Sequence, residues 1–227
     1  MLFAVPTPPS TQPHRGPDLT VLLAAERFVV VNKPPGMLSV PGKGEDKAHC
    51  AASRVRELFP ACSGPLVVHR LDMDTSGLLV FGLDPDAKRD LSMQFEARTV
   101  YKRYSALVDG VPPAQSGTID LPIRPDLDDR PVQVIDRALG RPSLTRWRLL
   151  SVETDRSRLE LEPVTGRTHQ LRVHLAGVGL PILGDVLYGP QPLAHALAER
   201  LCLHASVLEF NHPGAGPRVR VLSPAPF

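Results

Sequence analysis

His69-Arg70-Leu71-Asp72-Met73-Asp74-Thr75-Ser76-Gly77 sets basic side chains, two carboxylates and two hydroxyls between apolar runs. Pro65-Leu66-Val67-Val68 precedes the segment and Leu78-Leu79-Val80-Phe81 follows it, and both suit a buried sheet. The pattern predicts a short polar segment held in a rigid apolar frame. Within it Asp72 is the candidate nucleophile or general acid/base, because neighbours near buried strands can activate or orient a carboxylate. Arg70 suits contact with an anion. The plainer alternative is that Asp72 and Thr75 form a polar turn into a strand, since both residue types hydrogen-bond locally.

Working outward toward the N-terminus, Arg27-Phe28-Val29-Val30-Val31-Asn32 predicts a strand that stops at the turn residues Lys33-Pro34-Pro35-Gly36. Met37 to Val40 predicts a short extended piece, with Pro41-Gly42-Lys43-Gly44 as further punctuation. Residues 47–58 predict a helix, with Ala52, Val55 and Leu58 at helical spacing. Pro6, Pro8, Pro9, Pro13 and Pro17 deny residues 1–18 a regular helix, so this stretch is expected to be an arm.

On the C-terminal side, Asp84-Pro85 is a cap and first-turn pair for a helix through Phe95, with Ala87, Leu91 and Phe95 on one face. Strands are predicted over Thr99 to Asp109, Pro131 to Ile135 and Ser143 to Val152. The alternating Leu159-Glu160-Leu161-Glu162 predicts another, half exposed. Short connections favour hairpins over helical crossovers. The expected fold class is therefore α+β, with a mixed, mostly antiparallel sheet flanked by helices and one domain over residues 19–227.

A second dense polar run, Gly166-Arg167-Thr168-His169-Gln170-Leu171-Arg172-Val173-His174-Leu175, predicts a helix starting near Gly166 and Thr168 and ending near Gly177. Leu171 and Leu175 would point inward at i, i+4. Arg167 at a helix start suits a phosphate. His169 and His174 are five residues apart rather than the four that share a helical face, so no metal site is expected. By spacing alone Arg172 reads as a surface arginine, and Tyr104, on the predicted strand, as an aromatic packed on the core.

Composition is that of an ordinary globular chain: 227 residues, 42% hydrophobic and 22% charged, with a net charge of only +2. Any face for nucleic acid must come from arrangement rather than total charge. Cys50, Cys62 and Cys202 contain no CxxC pair and form an odd set, which disfavours a disulfide framework and fits a reducing cytoplasm. Met1-Leu2-Phe3-Ala4-Val5 lacks a basic leader and runs into prolines, so neither export nor a membrane span is expected.

His69-Arg70-Leu71-Asp72 with Thr75-Ser76-Gly77 resembles the signature of RluA-type RNA pseudouridine synthases. Lys33 to Val40 resembles the first motif of that family, and Gly166 to Arg172 its Gly-Arg-x-His-Gln-Leu-Arg motif. Pro181-Ile182-Leu183-Gly184-Asp185-Val186-Leu187-Tyr188-Gly189, Leu203-His204-Ala205 and Phe210-Asn211-His212-Pro213 resemble its closing segments. The matches run in the family's order from about residue 27 onward.

The resemblance implies a pseudouridine-synthase-like catalytic domain acting on RNA, without cofactor or metal. It implies Asp72 as the catalytic nucleophile, Tyr104 as the active-site tyrosine and Arg172 as the arginine paired with Asp72. A guanidinium so placed keeps a carboxylate ionised, and a tyrosine can stack on a flipped base or join proton transfer. Arg70 would occupy the space a flipped base leaves, while Lys102, Arg103 and Arg167 would contact phosphates. The expected substrates are ribosomal RNA hairpins and transfer RNA anticodon stem-loops, bound by a cytoplasmic monomer with no obligatory protein partner. Two rivals differ in chemistry: an inactive RNA-binding module, and a hydrolytic nucleosidase or glycosylase using Asp72 with water.

Overall fold

A computed structural model describes residues 18–42, 48–190 and 198–227. The expected arm falls almost entirely outside the described residues. The chain forms two compact units: residues up to Tyr101 with Ala205–Pro224, and Lys102–His204 with Ala225–Phe227.

The first unit is built on β1 (Thr20–Ala24), β2 (Phe28–Lys33), β3 (Ser76–Gly82), most of β10 (Leu203–Phe210) and β11 (Val219–Leu222), with helices α1 (Ala51–Leu58) and α2 (Pro85–Glu96). β2 pairs antiparallel with β1 on one side and β3 on the other, with Val30 opposite Val80 and Lys33 opposite Gly77. All seven residues of β3 are buried, as are Phe28 to Val31 of β2. A strand covered on both faces reads as a continuous apolar run, which is why these stretches lack alternation. Burying each such Val, Leu or Phe side chain contributes about 1.5–3 kcal/mol.

Local signals set the helix boundaries. The Asp84 carboxylate accepts from Ala87 N at 2.8 Å, capping α2, while Pro85 takes the first turn. Arg27 grips the same carboxylate through Nε and Nη2 at 2.9 and 2.8 Å and holds it down at a pKa of about 2. Helix α1 starts at Ala51 with Cys50 as its cap: the Cys50 thiol accepts from Ser53 N and Cys50 N donates to Ser53 Oγ.

The second unit holds β4 (Tyr101–Asp109), β5 (Ser116–Asp120), β8 (Leu144–Glu153), β9 (Arg156–Pro163) and α3 (Gln170–Gly177), with a separate two-stranded pair β6 (Ile123–Pro125) and β7 (Gln133–Ile135). The strand order is β4-β9-β8-β5, antiparallel throughout. Its core gathers Ala106, Val108, Leu159, Leu161, Leu175 and Ile182, all at most 1% exposed. Leu159 and Leu161 fill it while Glu160 and Glu162 stay half-buried, as alternation along a strand requires. Among the described residues no helix is long and apolar enough to cross a membrane.

The α+β class with mostly antiparallel pairing agrees with the reading of the sequence. Two local expectations differ. Pro65 to Val68 is not a ladder strand; it contributes one bridge, Val67 to Phe81, and Leu66 accepts from Gly82 N. The extended piece over Met37 to Val40 is likewise a single parallel bridge, Leu38 to Cys50. The first touches only the end of β3 and the second only the residue that caps α1, so neither extends into a ladder.

Gly77 sits at φ +113°, and a Cβ there would collide with the backbone of Ala205. Replacing it with alanine combines a disfavoured dihedral with a backbone clash, so Gly77→Ala is expected to lose roughly 2–4 kcal/mol. Denaturant titration of the two proteins tests this, and coincident midpoints would refute the steric account.

Candidate active site

Residues 69 to 75 have no strand ladder to hold them, so their backbone must be satisfied by side chains and neighbouring loops. His69 accepts from Val80 N through Nε2 at 3.2 Å, and its ring stacks on Phe95 of α2 with centroids 4.3 Å apart. Ser39 binds both polar backbone groups of Leu71, donating to its carbonyl at 2.6 Å and accepting from its N–H at 3.0 Å. The Lys33 ammonium donates to Met73 O at 2.8 Å. Asp72, half-buried, lies between two residues whose backbones are tied down.

Lys33 makes this possible at the end of β2. It is fully buried and donates to the carbonyls of Pro34, Met37 and Met73 at 2.9, 2.7 and 2.8 Å. An ammonium carries three protons, and three carbonyls receive them. Burying a charge without such partners costs several kcal/mol, so the turn at Pro34 to Met37 and the segment bearing Asp72 must keep the geometry that supplies them.

In the second unit, Arg172 on α3 is 2% exposed and binds Asp185 through Nε and Nη2 at 2.8 and 2.7 Å. Asp185, fully buried, also accepts from Leu187 N and Tyr188 N at 3.0 and 3.1 Å. The Tyr188 ring lies against the guanidinium, 5.2 Å from centroid to carbon, and its hydroxyl meets His169 Nδ1 at 2.7 Å. Gly184 enables the turn: it sits at φ +73°, and a Cβ would strike the Arg200 carbonyl. A planar fork gripped along one edge by the carboxylate and packed against the Tyr188 ring has its orientation set.

The start of α3 differs from expectation. The helix begins at Gln170, its N-cap is His169 at φ 53°, and that cap makes no side-chain hydrogen bond to the helix. The Gln170 side chain, at the first helical position, ties the preceding loop to β8 instead. Its Oε1 accepts from Arg167 N and from the Thr165 hydroxyl at 3.0 and 2.7 Å, and its Nε2 donates to Leu144 O and Thr145 Oγ1 at 2.9 and 3.0 Å. Thr145 Oγ1 also meets His174 Nδ1 at 2.9 Å, while His174 Nε2 reaches Leu121 O at 2.8 Å. Because a carbonyl can only accept, the neutral imidazole carries its proton on Nε2. Burial pushes the His174 pKa down.

Asp72 and Arg70 belong to the first unit, with Arg70 exposed; Lys102, Arg103, Tyr104, Arg167 and Arg172 belong to the second. Tyr104 is half-buried on β4 opposite Leu161 and packs against the core cluster. Arg103 pairs with Glu160 at 2.8 Å, and Arg167 Nε donates to Pro142 O at 3.3 Å. Arg172 is not the surface arginine that spacing alone predicts. Sequence alone marks Lys33 to Val40 and Pro181 to Gly189 as motifs, but it does not identify Lys33 and Ser39 as anchors of the Asp72 segment or Asp185 as the partner of Arg172. The signal for Asp185 was a carboxylate after a turn glycine in a chain with a helical arginine to neutralise.

Two outcomes follow for this site. Asp185→Ala strands the buried Arg172 charge and is expected to lose about 3–5 kcal/mol of stability in a urea titration; a loss under about 1 kcal/mol contradicts the buried pairing. The unfolded chain binds a proton at His174 more readily than the folded one. Its penalty is therefore absent above about pH 6.5 and grows as pH falls below that value. The stability difference between wild type and His174→Gln should accordingly narrow on acidification, and a pH-independent difference rules the effect out.

The RNA pseudouridylate synthase family model matches residues 27–177, which span parts of both units. The chain is 44% identical over 205 residues to the dual-specificity RNA pseudouridine synthase RluA of Pasteurella multocida, covering 90% of this chain and 92% of that one. It is 41% identical over 216 residues to the RluA of Escherichia coli strain K12, covering 95% and 97%. Among solved structures, human RNA Pseudouridylate Synthase Domain Containing 1 superposes with a TM-score of 0.78 at 31% identity, over 96% of this chain and 87% of that one. With a family match over most of its length and relatives of nearly its own size, this chain belongs to the RNA pseudouridine synthase family.

Proposed function

We propose that this protein isomerises uridines to pseudouridine in structured RNA, with Asp72 as the nucleophile. The observation that carries the reading is the suspension of Asp72 between two anchored residues, in a chain of this family. A carboxylate held by its own backbone presents one face to a substrate without ordering cost at the moment of reaction. In the reaction the bond from the ribose carbon to the ring nitrogen breaks and one to a ring carbon forms. That carbon gives up a proton and the nitrogen gains one, so nothing is consumed and no cofactor is required.

Uridine must leave its stack to meet Asp72, at a cost of a few kcal/mol that is smallest in a hairpin loop. Hairpin loops are therefore the substrates we assign, and the resemblance to the family narrows them to ribosomal RNA hairpins and transfer RNA anticodon stem-loops. Tyr104 is assigned the stacking or proton-transfer role and Arg172 that of keeping Asp72 ionised, on the strength of the motifs that contain them. Arg70, exposed and two residues before the nucleophile, is assigned to fill the vacated stack. Lys102, Arg103 and Arg167 are assigned to phosphates; Arg103 would share its charge between Glu160 and the RNA. The protein is taken to work as a cytoplasmic monomer without an obligatory partner.

Incubation with a uridine-labelled hairpin distinguishes isomerisation from the rivals: pseudouridine against unchanged RNA or free uracil. Asp72→Asn is expected to lower turnover by at least about a thousandfold while RNA affinity stays within about threefold. Free uracil as the product, or sustained turnover by Asp72→Asn, defeats the proposal.

A further inference from the structure

Ser39 is 3% exposed, and its hydroxyl spends its only proton on Leu71 O while a lone pair receives Leu71 N–H. One side chain thus replaces the two ladder partners that a residue in a strand would have, at the position immediately before Asp72. Ser39 is itself held. Ala52 N donates to its carbonyl at 3.2 Å and Ala51 N to the Leu38 carbonyl at 2.8 Å, so its backbone is bound into the start of α1, which Cys50 caps. On the other side of Asp72, Lys33 secures Met73 O. A residue whose neighbours are both anchored has little freedom in the direction of its Cα–Cβ bond.

We propose that Ser39 is a positioning residue of the reaction: by holding the Leu71 peptide it sets the direction in which Asp72 presents its carboxylate. The inference rests on the assignment of Asp72 as nucleophile. Ser39 touches no reacting atom. Its contribution is geometric, and a misplacement on the order of 1 Å costs about a hundredfold in rate. Replacement by cysteine keeps nearly the same volume but leaves a weak donor on a longer bond; threonine restores the hydroxyl.

Steady-state kinetics on the uridine hairpin, run well below every variant's melting temperature, test the proposal. Ser39→Ala and Ser39→Cys are expected to lower kcat by about 10- to 100-fold with KM within about threefold. Ser39→Thr is expected to recover kcat to within about fivefold of wild type. A purely structural serine would lower the melting temperature and leave the kcat of the folded fraction intact. That pattern overturns the proposal, as does a loss confined to KM or a threonine variant no better than alanine. Should Ser39→Ala fail to fold, the cysteine and threonine variants carry the test. Asp72→Asn, assayed alongside, keeps the two claims apart: its sustained turnover defeats the nucleophile assignment, whereas an inactive Asp72→Asn beside fully active Ser39→Ala and Ser39→Cys defeats only the role of Ser39.

Discussion

A lysine ammonium with no exposure, ringed by three backbone carbonyls, is the constraint on which the first unit's Asp72 segment depends. The charge cannot leave the interior without unfolding the end of β2, and it cannot stay unless the Pro34 to Met37 turn and the Met73 carbonyl remain in reach. Residues 34–37 and 73 are far apart in the chain, and Lys33 makes each a condition for the other. The loop bearing Asp72 therefore has its geometry without a ladder of its own. Ser39 and His69 add further anchors at Leu71 and Val80.

The second unit applies the same physics with a different residue. Arg172 is buried against a carboxylate and an aromatic face, and its helix carries a glutamine and a histidine whose polar atoms are matched one by one. Networks of this kind contribute little net stability compared with apolar packing, but each bond missing from one costs a full desolvation penalty. Helix α3 is thereby tied through Gln170 to the loop before it and to β8, while His169 turns away at positive φ and its ring meets the Tyr188 hydroxyl.

The division between what was legible and what was not follows the range of the interactions. Strands β2, β3, β8 and β9 and helix α2 were readable because alternation, apolar runs and the Asp84-Pro85 cap act within a few residues. Tyr104 could be placed on a strand for the same reason. Pro65 to Val68 was misread because an apolar run records burial, and burial does not reveal whether the backbone meets a ladder. The start of α3 was set too early, since Thr168 offers a cap by type, whereas the helix begins at Gln170, whose side chain makes four hydrogen bonds to the preceding loop and to β8.

By itself the sequence determined that this is an α+β chain with mostly antiparallel strands, and that residues 69–77 and 166–175 follow the pattern of a pseudouridine synthase. Those features depend on side-chain type and short spacing, which the chain carries before it folds. Only the tertiary structure decided that Lys33 and Ser39 hold the segment around Asp72, and that Arg172 is buried against Asp185 rather than exposed. Each of those depends on a partner brought within 3.0 Å from 13 to 40 residues away, a proximity that a one-dimensional pattern does not contain.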